Sequence, residues 1–166
     1  MKRLILVRHA KSSWADPGME DIDRPLNERG KRDAPEMARR LRARGERPDL
    51  IVSSPARRAR STARRMADEL GIAREDVSIE DALYEASVDT WLRVIAALPP
   101  AADAVLMVGH NPTLTELGHA LCRAVRIDNI PTCGVLRLDY GLRSWAAVPG
   151  AEPSDWSFDY PKRPGP

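Results

Sequence analysis

The sequence contains only two cysteines, Cys122 and Cys133, among its 166 residues. They form no Cys-x-x-Cys pair and no cluster with histidine at metal-ligand spacing, which argues against a structural zinc site. We therefore expect two reduced, partly buried thiols, as is typical of a reducing compartment, and no bound metal.

Long apolar runs are scarce as well. No stretch approaches the ~20 apolar residues that a membrane helix needs. Near the start of the chain the apolar run is confined to residues 4–7, whereas a secretory signal peptide needs an apolar region of roughly 7–15 residues. These features predict a cytoplasmic protein with no membrane partner.

The chain also lacks an excess of charge of one sign. Its 26 basic and 24 acidic residues leave a net charge of +2, and arginines are interleaved with Asp and Glu. A nucleic-acid-binding face is usually basic and uncompensated, so we expect no nucleic-acid partner, although a local basic pocket for a small anion stays open. With 43% hydrophobic and 30% charged residues, a fibrous or disordered chain is excluded.

Short apolar runs alternate with longer helical patterns along most of the chain. Buried strands are predicted at residues 4–7, 50–52 and 105–108, with a weaker one at 77–79. Apolar residues at helical spacing predict four helices, at residues 34–41, 59–70, 88–95 and 114–121. This alternation predicts an α/β fold, a three-layer αβα sandwich with a mostly parallel central sheet.

The helix boundaries follow from capping residues and prolines. Pro35 means that the first helix either begins near Asp33 or is kinked. Ser87 is a plausible N-cap of the third helix. Ser54-Pro55 and Asn111-Pro112 have the pattern of a capping residue followed by proline, which predicts two further helix starts.

The C-terminal part has a different pattern. Two β-type runs within residues 135–148 flank Tyr140-Gly141, which predicts a hairpin. From Pro149 onward there are five prolines. We therefore predict one domain over residues 1–150 and an irregular, proline-rich tail over residues 151–166, which aromatic side chains attach to the body: Trp156, Phe158 and Tyr160.

Three of the predicted elements deliver basic side chains to strand ends. These are Arg8-His9 after the first strand, Arg57 and Arg58 after the second, and His110 after residues 105–108. Ligands bind outside the carboxyl ends of strands in open α/β sheets, and helix starts bind anions. The pattern predicts a cationic pocket for a phosphate dianion.

His9 has two possible roles at its strand end. A lone histidine there is more often structural. A neutral imidazole nitrogen is, however, a competent nucleophile toward phosphorus. Neighbouring cations would stabilise the transferred phosphoryl group and disfavour protonation of the ring. The adjacent Arg8 and a second histidine at another strand end favour the catalytic role.

These residues resemble the signatures of a known family. Residues 8–12, Arg-His-Ala-Lys-Ser, resemble the Arg-His-Gly/Ala signature of the histidine phosphatase superfamily, which has the phosphoglycerate mutase-like fold. Residues 53–63 and 108–112 are similar to its second and third signatures, and residues 24–30 and 83–87 to accessory segments. The motifs occur in the family's order, and the short chain is most similar to the SixA-type phosphohistidine phosphatases.

The resemblance implies roles for the matching positions. His9 would be the nucleophile and would form a phosphohistidine intermediate. Arg8, Arg58 and His110 would bind the phosphoryl oxygens, and the register of the second signature selects Arg58 over its neighbour. Ser12 would be a minor phosphate neighbour or, equally, an exposed loop serine. The family needs no metal or cofactor.

One residue departs from the family's pattern, and one further residue is a candidate for a role in catalysis. Ala10 stands where many members have glycine, so the loop after His9 is not the mutase loop. Glu85 is a candidate proton donor to an oxygen leaving group, or an ordinary surface residue before a helix. A phosphohistidine substrate would need that acid less, because a protonated imidazole leaves well.

Two other side chains have two possible roles each, and a third is expected to be an ordinary surface residue. Arg24 would reach a substrate or merely pair with Asp21 or Asp23. Trp14 would line the pocket rim or pack in the core. His119 lies off the apolar stripe of its helix and is expected to be exposed.

The resemblance thus implies a metal-independent phosphatase acting on a phosphorylated protein or a small phosphoester. An uncapped pocket favours a phosphohistidine on a signalling protein. A small-molecule phosphomonoesterase of the same family is the first alternative. The second is a non-catalytic module that binds phosphate or a phosphoprotein, which would not need a nucleophile at residue 9.

Overall fold

A single six-stranded sheet organises the chain in the computed structural model, which describes residues 1–163. The strands are β1 (Lys2–Arg8), β2 (Leu50–Ser53), β3 (Ser78–Ile79), β4 (Ala104–Gly109), β5 (Val135–Tyr140) and β6 (Asp155–Asp159). They lie in the order β3-β2-β4-β1-β5-β6. Strands β1 to β4 pair in parallel, whereas β5 is antiparallel to both β1 and β6. The prediction of a mostly parallel sheet is confirmed.

Helices cover both faces of this sheet. They are α1 (Glu28–Ala43), α2 (Arg57–Leu70), α3 (Val88–Ala96) and α4 (Thr113–Leu121). Along β1, Ile5 and Val7 pack with α1 and α2, while Leu4 and Leu6 pack with α3 and α4. Each of these fully buried side chains contributes roughly 1.5–3 kcal/mol. The two apolar layers confirm the predicted αβα sandwich.

Helix α1 begins earlier than the sequence predicts. Its N-cap is Asn27, whose side chain accepts a hydrogen bond from the amide of Gly30 at 2.9 Å, so the expected start near Asp33 is wrong. Pro35 lies inside the helix and removes one helical hydrogen bond. Four buried apolar side chains of the same helix offset that loss.

Helix α2 begins later than predicted, because Ser54 and Pro55 precede the helix rather than starting it. The N-cap position is Ala56, with no side-chain cap. The Ser54 hydroxyl accepts from the Ala56 amide at 3.2 Å and lies 2.7 Å from Nε2 of His110. The predicted cap Ser87 is confirmed, since it is the N-cap of α3 and accepts from the Thr90 amide. The start predicted at Asn111-Pro112 is wrong by one residue: the N-cap position of α4 is Pro112, with no side-chain cap, although Asn111 before it accepts from the Thr115 amide at 3.1 Å.

The predicted hairpin is only half correct. Strand β5 forms, but the second half of residues 135–148 contributes to a 3₁₀ helix, Trp145–Gly150. Its Trp145 is buried and donates its indole N–H to the Ala102 carbonyl at 2.7 Å. Burial of this large ring in the core decides the local structure, and β5 takes its partner from further along the chain.

The strand that pairs with β5 lies within residues 151–166, so the prediction that this whole segment is an irregular tail is wrong. Asp155–Asp159 form the edge strand β6. Trp156 and Phe158 alternate with polar residues, which is the period of a strand, and both pack against the apolar core. Their attachment of this segment to the body is confirmed. Residues 164–166 of the predicted tail lie outside the described residues.

Within residues 1–163, no helix is both long and apolar enough to span a membrane.

Candidate active site

The predicted site residues meet where three neighbouring parallel strands end. Strands β2, β4 and β1 are adjacent in the sheet, with Ser53 paired with Val108 and Arg8 with Gly109. The residues that follow β1 and β4 are His9 and His110. Helix α2, which follows β2, adds Arg58 in its first turn.

These side chains line one cleft of about 230 Å³, which we call the His9 cleft. The ring centroids of His9 and His110 are 5.1 Å apart. The lining residues are Arg8, His9, Lys11, Ser12, Trp14, Arg24, Arg58, His110, Asn111 and Thr132. None of these described residues is acidic, so the cleft suits an anion.

The ring of His9 is held by its own loop. Nδ1 lies 2.8 Å from the carbonyl oxygen of Ala10. Because a carbonyl only accepts hydrogen bonds, this partner assigns the proton to Nδ1 and leaves the lone pair on Nε2. The side chain is 7% exposed. The arrangement can present Nε2 to an electrophile without a prior deprotonation.

The environment keeps this ring uncharged. Burial lowers the pKa of His9 from 6.5 to about 3, against the Ala10 carbonyl, which favours the charged form. The charges of His110, Arg58 and Arg8 lower the pKa further. Desolvation and neighbouring cations therefore outweigh the single hydrogen bond, and the imidazole is neutral at ordinary pH.

His110 is neutral for similar reasons. Burial lowers its pKa to about 4, and the Arg58 charge acts in the same direction. Its Nε2 lies 2.7 Å from the Ser54 hydroxyl, whereas its buried Nδ1 has no hydrogen-bond partner among residues 1–163. One ring nitrogen is thus fixed by the protein, and the other is a buried polar atom that no described residue satisfies.

The segment after α4 holds Arg8. The Ile130 carbonyl accepts hydrogen bonds from Nη1 of Arg8 and from the side-chain amide of Asn111, both at 2.9 Å. The amide of Cys133 donates to the carbonyls of Arg8 and His9 at 3.0 and 3.1 Å. Residues 130–133 carry no motif that would predict this contact from the sequence.

Arg58 is held by Asp21, whose contribution was not predicted. Nη1 of Arg58 donates to the Asp21 carbonyl at 2.7 Å and Nη2 to its carboxylate at 3.0 Å. The Tyr84 hydroxyl donates to the same carboxylate at 2.6 Å and, together with Arg58, lowers the pKa of Asp21 to about 2. Arg58 is buried whereas Arg57 is exposed, so only Arg58 reaches the cleft.

A second arginine lies on the opposite side of Asp21. Nε of Arg24 donates to the Asp21 carboxylate at 3.2 Å, and Nη1 donates to Oγ of Ser12 at 2.9 Å. Arg24 therefore pairs with Asp21, one of the two expected acids. Ser12 is buried, so it is not an exposed loop serine. Trp14 is 73% exposed at the cleft, which places it on the rim and not in the core.

Glu85 lines a second, adjoining cleft of about 330 Å³, which we call the Glu85 cleft. It shares Arg58, His110 and Asn111 with the His9 cleft, but His9 does not line it. Glu85 is exposed and has a left-handed backbone, with φ of 54°. Residues other than glycine are uncommon in that conformation, and such strain concentrates at functional sites.

Two residues fix the loop after His9 against the helices. The Ala10 amide donates to Oγ1 of Thr62 at 2.9 Å, and that hydroxyl donates to the Arg58 carbonyl at 2.7 Å. Gly30 lets α1 approach closely, because a Cβ atom there would lie 2.2 Å from the carbonyl oxygen of Lys11. The nucleophile candidate and the arginine therefore share one rigid frame.

His119 lies outside both clefts. It is exposed, as predicted, and its Nε2 is 2.7 Å from the Ile127 carbonyl oxygen.

Comparisons with known proteins agree with this geometry. The model of the histidine phosphatase superfamily (branch 1) matches residues 4–95. A chloroplastic protein of Arabidopsis thaliana is 32% identical over 167 residues, covering 95% of this chain and 76% of that protein.

Two solved structures, both assigned as the phosphohistidine phosphatase SixA, share the fold. The one from Agrobacterium tumefaciens is 36% identical, with a TM-score of 0.77, and covers 94% of this chain and 97% of its own. The one from Nakamurella multipartitia is 29% identical, with a TM-score of 0.79, and covers 97% and 96%. The strand-end site and these matches together lead to one conclusion: the chain belongs to the histidine phosphatase superfamily, branch 1.

Proposed function

We propose that the protein is a metal-independent phosphatase in which Nε2 of His9 is the nucleophile. One observation carries the proposal: a neutral imidazole, with Nδ1 anchored on the Ala10 carbonyl, lies in a cleft lined by Arg8, Arg58 and His110. This combination supplies a free lone pair and a cationic surrounding for the phosphoryl group.

The reaction has two displacements at phosphorus. The Nε2 lone pair of His9 forms an N–P bond while the bond from phosphorus to the leaving group breaks, and its electron pair departs with the leaving group, which takes up a proton. A water oxygen then attacks phosphorus and loses a proton. The N–P bond breaks, its electron pair returns to Nε2, and inorganic phosphate is released.

The other cleft residues bind the phosphoryl oxygens. Arg8 and Arg58 are charged donors held by main-chain carbonyls. The Ser54 hydroxyl already accepts from the Ala56 amide, so donating its own proton to Nε2 of His110 leaves Nδ1–H to donate to phosphate. Ser12 adds a hydroxyl. One such preorganised donor contributes roughly 10²- to 10³-fold to the rate.

A phosphohistidine on a protein is the preferred substrate. The rim of the His9 cleft carries the exposed side chains Lys11 and Trp14, which a protein surface can contact. The solved structures assigned as SixA are named for phosphohistidine. With this substrate the leaving group is the imidazole of the phosphorylated protein.

A small phosphoester is the second candidate, favoured by the strained backbone of Glu85. An alkoxide leaving group needs a proton, and the carboxyl of Glu85 lines the cleft that adjoins the phosphoryl site across Arg58 and His110. In this case Glu85 is the general acid for the first displacement.

Trapping of the labelled enzyme tests the nucleophile. The protein is mixed with a ³²P-phosphohistidine protein or with small ³²P-phosphoesters, in EDTA, and quenched in alkali. We expect an acid-labile, alkali-stable label on the wild type and its loss in His9→Ala, with turnover at least ~10³-fold lower. His119→Ala is the matched control and should keep the label.

Two outcomes contradict the proposal. Turnover that survives His9→Ala shows that another group attacks phosphorus. Tight binding of phosphoprotein without any turnover by the wild type identifies a binding module instead of an enzyme.

A further inference from the structure

Trp14 is a large apolar side chain left in solvent beside the reacting atoms. It is 73% exposed, whereas the rings of Trp91 and Trp145 are almost completely buried. It lines the same cleft as His9. An indole in this position contributes little to the core, and its place on the lining of the cleft leaves it accessible to a ligand there.

Arg24 holds this indole in place. The guanidinium carbon lies 3.5 Å from the centroid of the Trp14 ring, which is a close cation–π contact. Arg24 is itself buried and bonded to Oγ of Ser12 and to Asp21. One face of the indole is thus covered by a fixed guanidinium, and the large exposed fraction leaves the other face open. A preordered aromatic face loses little entropy when a ligand binds.

The volume of the cleft leaves space for such a ligand. A phosphoryl group has four heavy atoms and takes up on the order of 100 Å³, at ~30 Å³ for each water-sized atom. The His9 cleft holds about 230 Å³. About half of it therefore remains for the leaving group. On the same scale a five-membered ring needs ~150 Å³, so such a ring would partly fill this remainder and partly lie at the open rim, where Trp14 is exposed.

We propose that Trp14, held by Arg24, forms a leaving-group subsite that stacks on the planar imidazole of a phosphohistidine substrate. The inference rests on the proposed function and adds the residue that selects the leaving group. The subsite gives no advantage to a leaving group without a flat apolar face.

The test compares two substrates that share a P–N bond. Phosphohistidine releases imidazole, and phosphoramidate releases ammonia. In Trp14→Ala we expect the ratio of kcat/KM for phosphohistidine to kcat/KM for phosphoramidate to fall roughly 3- to 10-fold, mainly through KM. Trp14→Phe should retain most of the ratio. Ile79→Ala, an exposed apolar side chain on the edge strand β3, is the control.

The normalised ratio separates this subsite from general damage, because both substrates use the same phosphoryl-binding residues. An unchanged ratio in Trp14→Ala overturns the subsite while leaving the phosphatase proposal standing. If the wild type hydrolyses neither substrate, phosphohistidine is not the substrate and the small-phosphoester candidate takes its place. Imidazole titration in inorganic phosphate then decides the subsite: quenching of tryptophan fluorescence that Trp14→Phe weakens supports it, and equal quenching overturns it.

Discussion

The two clefts meet at Arg58 and His110 but differ in charge and in support. The His9 cleft is lined by basic and neutral residues. Its two histidines, Arg8 and Arg58 come from strand ends and the first turn of α2, whereas Arg24 follows a 3₁₀ helix. The Glu85 cleft contains two carboxylates, Asp21 and Glu85, beside apolar side chains. Its acids lie on a 3₁₀ helix, Asp21–Asp23, and on the turn that precedes α3.

The difference separates two tasks. In the proposed reaction, groups that the sheet holds in fixed positions stabilise the negative charge on the phosphoryl oxygens. Proton chemistry and leaving-group contacts are left to connecting segments, which tolerate change without disturbing the nucleophile. Arg58 belongs to both, because its guanidinium lines both clefts and is bonded to Asp21.

Replacing Arg58 gives the largest expected effect, since it removes the residue that joins the clefts. We expect Arg58→Ala to lower kcat/KM by about 10²- to 10³-fold for every substrate, because a preorganised charge on the transferred group is lost. Arg58→Lys should restore only part of the lost kcat/KM, since an ammonium cannot replace the two-pronged contact with Asp21. Steady-state kinetics measure both.

Arg57→Ala is the matched control, because this neighbouring arginine is exposed. If Arg57→Ala costs as much as Arg58→Ala, the effect comes from general positive charge and the distinction between the clefts is lost.

Replacing Glu85 should separate the two classes of substrate. Glu85→Gln removes the acid but keeps the shape of the side chain. We expect about 10²-fold slower hydrolysis of phosphoesters with poor leaving groups and a much smaller effect on phosphohistidine. The measurement is kcat for both substrates at one pH, with the exposed Glu75→Gln as control.

Equal losses on both substrates would contradict this division of labour. A phosphoester whose leaving group needs no proton, such as a nitrophenolate, should restore the rate of Glu85→Gln. That result would support the division of labour between the clefts.

The smallest expected effect is on stability at acidic pH. The folded-state pKa values of His9 and His110, about 3 and about 4, lie below the ordinary 6.5. The unfolded chain therefore binds more protons than the folded one in this range. The free energy of unfolding should be unaffected by these groups well above pH 6.5 and fall as the pH drops below it, by about 1.4 kcal/mol for each ring at pH 5.5.

Urea denaturation between pH 4 and 7 measures this slope. His9→Gln should flatten it, whereas His119→Gln should not. The carboxylate of Asp21 has its pKa lowered from 3.8 to about 2, so its contribution is lost only below that window. A slope that His9→Gln leaves unchanged would show that burial of the His9 ring does not govern the acid response.

Local patterns were sufficient to predict most of the fold. The buried strands and the apolar stripes of four helices follow from periodicity, and both layers formed as predicted. The errors have different causes. Asn27, a local N-cap that accepts from the Gly30 amide, begins α1 before the expected start, whereas burial of Trp145 is a tertiary contact that replaces the second half of the predicted hairpin by a 3₁₀ helix.

The site was predictable where a motif marks a strand end. Arg8, His9, Arg58 and His110 line the same cleft because the strand order places β2, β4 and β1 side by side. Asp21 was foreseen only as one of two possible partners of Arg24, the other being Asp23. Its contact with Arg58 joins segments 37 residues apart in the chain, and no local pattern specifies such a pairing.

The close approach at Gly30 has a consequence for variants far from the pocket. Residue 30 lines neither cleft, yet even one methyl group there would collide with the main chain of Lys11. Helix α1 would have to move away, and the neighbouring backbone of His9 would lose its support. Gly30→Ala would therefore lower activity in assays as the loss of a catalytic residue does, although every reactive group would still be present.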